Sequence, residues 1–116
     1  MSEEAAAGCL TLDFDRVGNA ALVRCQGKLV VGVNNILYIR VRELIPDNKR
    51  IVLDLTGLTF MDSTGLGTLV RLYVAARSSG CNLELINLGK RIRELLGVAN
   101  LLSVFTIVGE NDIRFQ

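Results

Sequence analysis

Apolar and polar positions alternate along residues 10–14, LTLDF, which predicts a strand with one buried face. The turn DRVGNA, containing Asn19, follows. Alternation then resumes over 21–26, with Ala21, Val23 and Cys25 on one face and Leu22, Arg24 and Gln26 on the other. The short connection predicts a hairpin that ends at Gly27. The period changes over 34–45, NNILYIRVRELI, where Leu37, Val41 and Leu44 share one helical face and Ile36 and Ile39 lie off it. Asn34 or Asn35 can cap this helix, and Pro46 ends it. Residues 50–55, RIVLDL, form the apolar run of a strand buried on both faces. A turn is expected at 56–58, TGL. Residues 63–79 are helical, with a stripe of Leu66, Leu69, Val70 and Tyr73, an opposite face of Thr68, Arg71, Ala75 and Ser78, and a terminating Gly80. A strand at 82–87, a short helix at 90–96 stopped by Gly97, and a strand at 104–108 complete the pattern.

Strands that alternate with helices after a first hairpin imply an α/β fold. The expected form is a mixed, mostly parallel sheet of four to five strands with helices mainly on one face. The pattern describes one domain spanning residues 1–116, with an ordered core of about 10–108, and contains no linker or repeat. In such sheets, sites form at the carboxyl ends of the strands. The segment TFMDSTGLG, residues 59–67, lies at one of these ends.

Composition narrows the function. The chain has 116 residues, of which 50% are hydrophobic, enough for one core. Thirteen Lys and Arg against twelve Asp and Glu leave a net charge of +1, which gives no reason to expect nucleic acid or an anionic membrane as partner. No apolar run approaches the ~20 residues of a membrane span. The start, MSEEAAAGCL, is acidic where a signal peptide is basic, so the cytoplasm is the expected location. Cys9, Cys25 and Cys81 are widely spaced and read as small hydrophobes. With no histidine, the chain lacks the commonest general base and a common metal ligand; neither a metal nor a cofactor is expected.

Two catalytic readings can be tested against spacing. A phosphate loop needs a glycine five positions before a Gly–Lys pair. Leu22 and Glu84 stand there instead, before Gly27–Lys28 and Gly89–Lys90. An aspartyl-phosphate mechanism at Asp54 needs clustered acids, and Asp13, Asp54 and Asp62 converge only if the first strand neighbours the third. Neither reading supports an enzyme.

Asp62 is placed to cap the helix that begins at Ser63, accepting N–H bonds of its first turn and meeting the positive end of its dipole. In this reading Ser63 and Thr64 are ordinary first-turn residues. Gly65 and Gly67 are harder to explain, because each costs about 1 kcal/mol against alanine inside a helix. Both make sense if another surface approaches closely, whether a partner or the domain's own sheet.

IVLDLTGLTFMDSTGLGTLVRLYVAAR, residues 51–77, resembles the core of the STAS domain family, and specifically its single-domain anti-sigma factor antagonists. The shared features are a buried strand ending Asp–Leu, a short loop, then Asp–Ser–[Ser/Thr]–Gly–Leu opening a helix. KRIRELLGVANLLSVFTIV, residues 90–108, is similar to the family's late helix and final strand. The resemblance implies a STAS-like domain whose Ser63 is phosphorylated by an anti-sigma factor that is also a serine kinase. It further implies reversal by a phosphoserine phosphatase, with Asp62, Thr64 and Gly65 supporting the site. The family often carries Gly–x–Leu–Asp after its second strand, where this chain has Gly27–Lys28–Leu29–Val30. Val30, Val31 and Val33 make that loop apolar and, with Gly67, form the expected partner-binding surface. The same departure leaves an alternative, a constitutive STAS scaffold or subunit of a stress-signalling or lipid-transport assembly that phosphorylation does not switch. Family members often end in a further helix, for which residues 109–116 are too short.

Overall fold

A computed structural model describes residues 2–5, 9–99 and 106–108, with side chains over 9–99. The elements run β1 (Ser2–Ala5), β2 (Leu10–Val17), β3 (Ala20–Leu29), α1 (Asn34–Leu44), a 3-10 turn (Ile45–Asp47), β4 (Arg50–Met61), α2 (Ser63–Ser78), β5 (Asn82–Ile86), α3 (Lys90–Val98) and β6 (Thr106–Val108). They form one sheet in sequential order, β1-β2-β3-β4-β5-β6. The first two pairings are antiparallel and the last three parallel.

The α/β class, the hairpin and the mostly parallel sheet follow the sequence pattern. The sixth strand is additional: β1 pairs Ser2–Ala5 with Leu10–Asp13 in a stretch whose composition carries no strand signal. The hairpin β2–β3 turns through Gly18, whose φ of 63° is open to glycine without steric cost. Crossovers between parallel neighbours in chain order, right-handed by the general rule, place successive helices on the same side of the sheet. The core bears this out. Ile51, Leu53 and Leu55 of β4 join Leu37 and Val41 of α1, Leu69 and Leu72 of α2, and Ile92 and Leu96 of α3 in one buried cluster.

The other sheet face carries the alternate residues, and most are polar. Arg24 lies 4.0 Å from Asp13 and 3.8 Å from Asp15. Arg50 meets Glu84 through two bonds of 2.7 and 2.9 Å, and Asn82 donates to the same carboxylate at 2.8 Å. Glu84 is only 4% exposed, so these three donors satisfy a carboxylate withdrawn from water.

Three local expectations are corrected. No turn interrupts 56–58: β4 runs unbroken to Met61, and its register against β3 slips twice, between Arg24 and Gln26 and again between Gly27 and Lys28. The last residues of β4 have only β3 beside them, because β5 pairs with Arg50–Asp54 alone. Neither Asn34 nor Asn35 caps α1, which starts after Val33 without a side-chain cap. The α2 stripe is rotated from its expected phase. Thr68 is fully buried, with Gly65, Leu69, Leu72 and Ala76, while Leu66, Val70 and Tyr73 are half-buried. The strand expected at 104–108 is described from Thr106 onward, and the tail 109–116 lies outside the described residues.

Candidate functional site at the start of α2

β4 delivers the chain at Met61 to the edge where β3 also ends. Asp62 is extended, with φ −98° and ψ −174°, and α2 begins at Ser63. The Asp62 carboxylate makes two backbone contacts that run in different directions. Oδ1 accepts the Gly65 N–H at 2.8 Å, the expected helix cap. Oδ2 accepts the Val31 N–H at 3.0 Å, across to the loop after β3. The Asp62 N–H in turn donates to the Leu29 carbonyl at 3.3 Å. A single residue therefore caps α2 and ties it to the 30–33 loop. The N–H donors of Gly65 and Val31 hold the Asp62 carboxyl below the usual carboxylate range.

The 30–33 loop is a tight turn in which the Val30 carbonyl accepts the N–H groups of Val33 and Asn34, both at 3.1 Å. Its three valines part company. Val31 is 70% exposed beside Asp62, Val30 is half-buried, and Val33 is buried in the core at 2%. Val33 thus fixes the turn, and Val31 is what the turn presents.

A second tie, with no signal in the sequence pattern, joins the two helices. Asn34 Nδ2 donates to Thr68 Oγ1 at 3.1 Å, and Thr68 Oγ1 donates to the Thr64 carbonyl at 3.0 Å. Both side chains are buried. Two polar residues brought together across a helix pair satisfy each other where water is excluded. The first turn of α2 is thereby anchored through Asp62, Gly65 and Thr64, while the Ser63 side chain faces solvent. Thr64, next to it, is half-buried.

The two glycines separate. A Cβ on Gly65 would stand 2.2 Å from the Leu29 carbonyl oxygen and 2.8 Å from Met61 Cγ, so Gly65 is required by the domain's own sheet. A Cβ on Gly67 would meet nothing within 4 Å, and the residue is exposed.

The other chemical candidates do not assemble. Asp13 on β2 and Asp54 on β4 both pair in register with Arg24 on the intervening β3. Burial raises the Asp54 carboxyl, but bonds from the Thr56 side chain and backbone and from Asn87, with Arg24 nearby, bring it below its ordinary value. Among the described residues no three His, Cys, Asp or Glu side chains are grouped to hold a metal ion. Burial, with the Asp54 charge adding to it, pushes the Cys25 thiol up to about 12, far from a thiolate at neutral pH. Burial raises Cys81 as well.

The chain that carries this strand–Asp–Ser–Thr–Gly–Leu–helix junction matches the STAS domain over residues 11–111. The chain belongs to the STAS domain family. An anti-sigma F factor antagonist of Paenibacillus polymyxa is 25% identical over 107 residues, covering 90% of this chain and 91% of that protein. In fold, this STAS domain is similar to an anti-sigma factor antagonist from Mycobacterium paratuberculosis, with a TM-score of 0.78 at 18% identity over 89% of this chain and 88% of that one. It is also similar to the Bacillus cell fate determinant SpoIIAA in its phosphorylated form, with a TM-score of 0.68 at 17% identity over 86% and 93% of the two chains. Among the described residues, no helix of this STAS domain is long and apolar enough to cross a membrane.

Proposed function

We propose that this STAS domain is a cytoplasmic anti-sigma factor antagonist and itself performs no catalysis. In this reading it binds an anti-sigma factor that is also a serine kinase. Phosphorylation of Ser63 dissociates the pair, and a phosphoserine phosphatase restores it. The observation that carries the reading is the exposed Ser63 hydroxyl at the start of α2, beside exposed Val31 and open Gly67, on a backbone held by Asp62. Thr64 and Gly65 support it from below, Thr64 through its carbonyl and Gly65 through its N–H.

The physics of the switch is local. A phosphate adds roughly −1.5 to −2 charges and three acceptor oxygens. At a helix N-terminus the free N–H groups and the dipole favour that charge, while the Asp62 carboxylate opposes it. The domain itself therefore keeps its fold. A partner docked on Val31 and Gly67 must desolvate the dianion, and each ~1.4 kcal/mol of that penalty is a tenfold loss of affinity. The test is incubation with the anti-sigma kinases of the same genome and ATP, followed by mass spectrometry. A single phosphate on wild type and none on Ser63→Ala is the expected result. An unmodified Ser63, together with no binding to any such kinase, refutes the proposal.

Val31 at 70% exposure, in a loop without the family's acid, favours a second reading as an unswitched STAS scaffold. A Ser63→Asp variant that binds the partner as tightly as wild type selects that reading.

A further inference from the structure

A groove of about 450 Å³ runs between α1 and α2 on the outer side of the helix layer. Val70 and Val74 supply its apolar surface, and Val74 is 55% exposed. Tyr38 and Arg42 of α1 face Arg71 and Ser78 of α2 across it. The charges are unusually arranged. The Arg71 guanidinium lies over the Tyr38 ring at 4.5 Å from its centroid. Arg42 approaches the same ring at 5.7 Å and donates to its hydroxyl. Two like charges from two helices thus converge on one phenol, and neither has a carboxylate partner among the described residues. The neighbouring cations differ: Arg40 lies by Glu43 and the Phe14 ring, and Arg77 donates to Tyr73.

Cation–π contacts place the guanidiniums but leave their charge and most of their N–H donors unanswered. A carboxylate brought between Arg42 and Arg71 answers both, with the geometry at which arginine excels. The apolar strip beside them runs along α2 from Val70 to Ser78, about 12 Å or two helical turns. An open, two-turn channel with valines along its α2 wall and one arginine from each wall matches one face of a helix. Apolar residues at i and i+4 cover the valines, and an acid one turn along reaches the arginines.

We propose that this groove docks an acidic amphipathic helix of a protein partner. Val74 is eleven residues from Ser63, about 16 Å along α2, so the surface is distinct from the phosphorylation site and does not depend on Ser63 being modified.

The test uses the full chain and two designed helical peptides. Both carry Leu at i and i+4; one has Glu, the other Lys, one turn away. The Glu peptide is expected to bind and to move the amide signals of Tyr38, Arg71 and Val74, with affinity falling as salt rises. The Lys peptide, and the Glu peptide against Arg42→Gln/Arg71→Gln, should each bind roughly tenfold more weakly. The variant's circular dichroism should match that of wild type, since both positions are on the surface. Equal binding of the two peptides, signals that move elsewhere, or an unaffected double variant overturns the proposal. So does self-association through the groove, seen as a dimer in sedimentation that the double variant abolishes. Binding to phosphatidylserine vesicles without binding to the Glu peptide overturns it equally.

Discussion

At the scale of the residue, Asp62, Gly65 and Gly67 carry separable duties within six positions. Gly65→Ala forces a methyl group against the Leu29 carbonyl, and backbone cannot swing aside as a flexible side chain can. A loss of about 1–3 kcal/mol is expected in urea unfolding. Gly67→Ala has open space around its new methyl and a better helix former in place, so it should stabilise the fold by about 0.5–1 kcal/mol. If Gly67 serves a partner's approach, the same variant weakens binding of that partner while strengthening the domain. Asp62 has a pH signature. Its carboxyl is held below the ordinary range by the Gly65 and Val31 N–H groups, so the folded state prefers it ionised. Its contribution is complete above the unfolded carboxylate's value and is lost as pH falls through the lower folded one. The protection of the Gly65 and Val31 amides, relative to their intrinsic exchange at each pH, should fall together through that acid range. In Asp62→Asn, whose side chain has no charge to lose, that pH step should be absent. Separate transitions for the two amides would show that the carboxylate does not bridge them.

At the scale of the element, α1 and α2 are coupled by Asn34 and Thr68, which the apolar pattern does not relate. Periodicity reads Thr68 as outward because threonine is polar, yet it is buried and Asn34 of α1 meets its hydroxyl. Thr68→Val leaves a buried amide donor unpaired and should cost about 1–3 kcal/mol. Asn34→Ala/Thr68→Val should cost less than the sum of the single variants, since the second change removes a penalty left by the first. A strictly additive cycle in denaturant unfolding would show that the two side chains do not interact. The continuation of β4 through Thr56–Leu58 is the other misreading at this scale. Thr-Gly-Leu has turn composition, but β3 continues beside it and supplies the pairing that keeps it extended. That extension delivers Asp62 to Val31.

At the scale of the whole molecule, the sheet has one apolar side under α1, α2 and α3 and one polar side crossed by ion pairs. Arg50 and Glu84 are the pair that matters there, because Glu84 is withdrawn from water while the surface pairs of Arg24 are long and exposed. Arg50→Ala leaves the Glu84 carboxylate with Asn82 alone and should cost about 1–3 kcal/mol in thermal or urea unfolding. Arg50→Met/Glu84→Leu should recover most of that loss, since an apolar pair has no charge to desolvate. No recovery would mean that Glu84 is held for a reason beyond its own burial.

Fold class, the hairpin, α1, α2 and α3, the cap at Asp62 and the position of Ser63 are all legible in the order of the residues. Each of these rests on a short-range rule: a repeat of two or 3.6 residues, a capping residue before a helix, or a motif read in order. Which partners those residues meet depends on the packed fold. It placed Val31 against Asp62, Thr68 against Asn34, and Arg50 against Glu84, pairs separated by more than thirty positions in the chain. It also divided the two glycines, giving Gly65 to the sheet and leaving Gly67 open. Local pattern records how a side chain faces its own element; the neighbour it finds depends on sheet order and helix packing, which join segments that share no local signal.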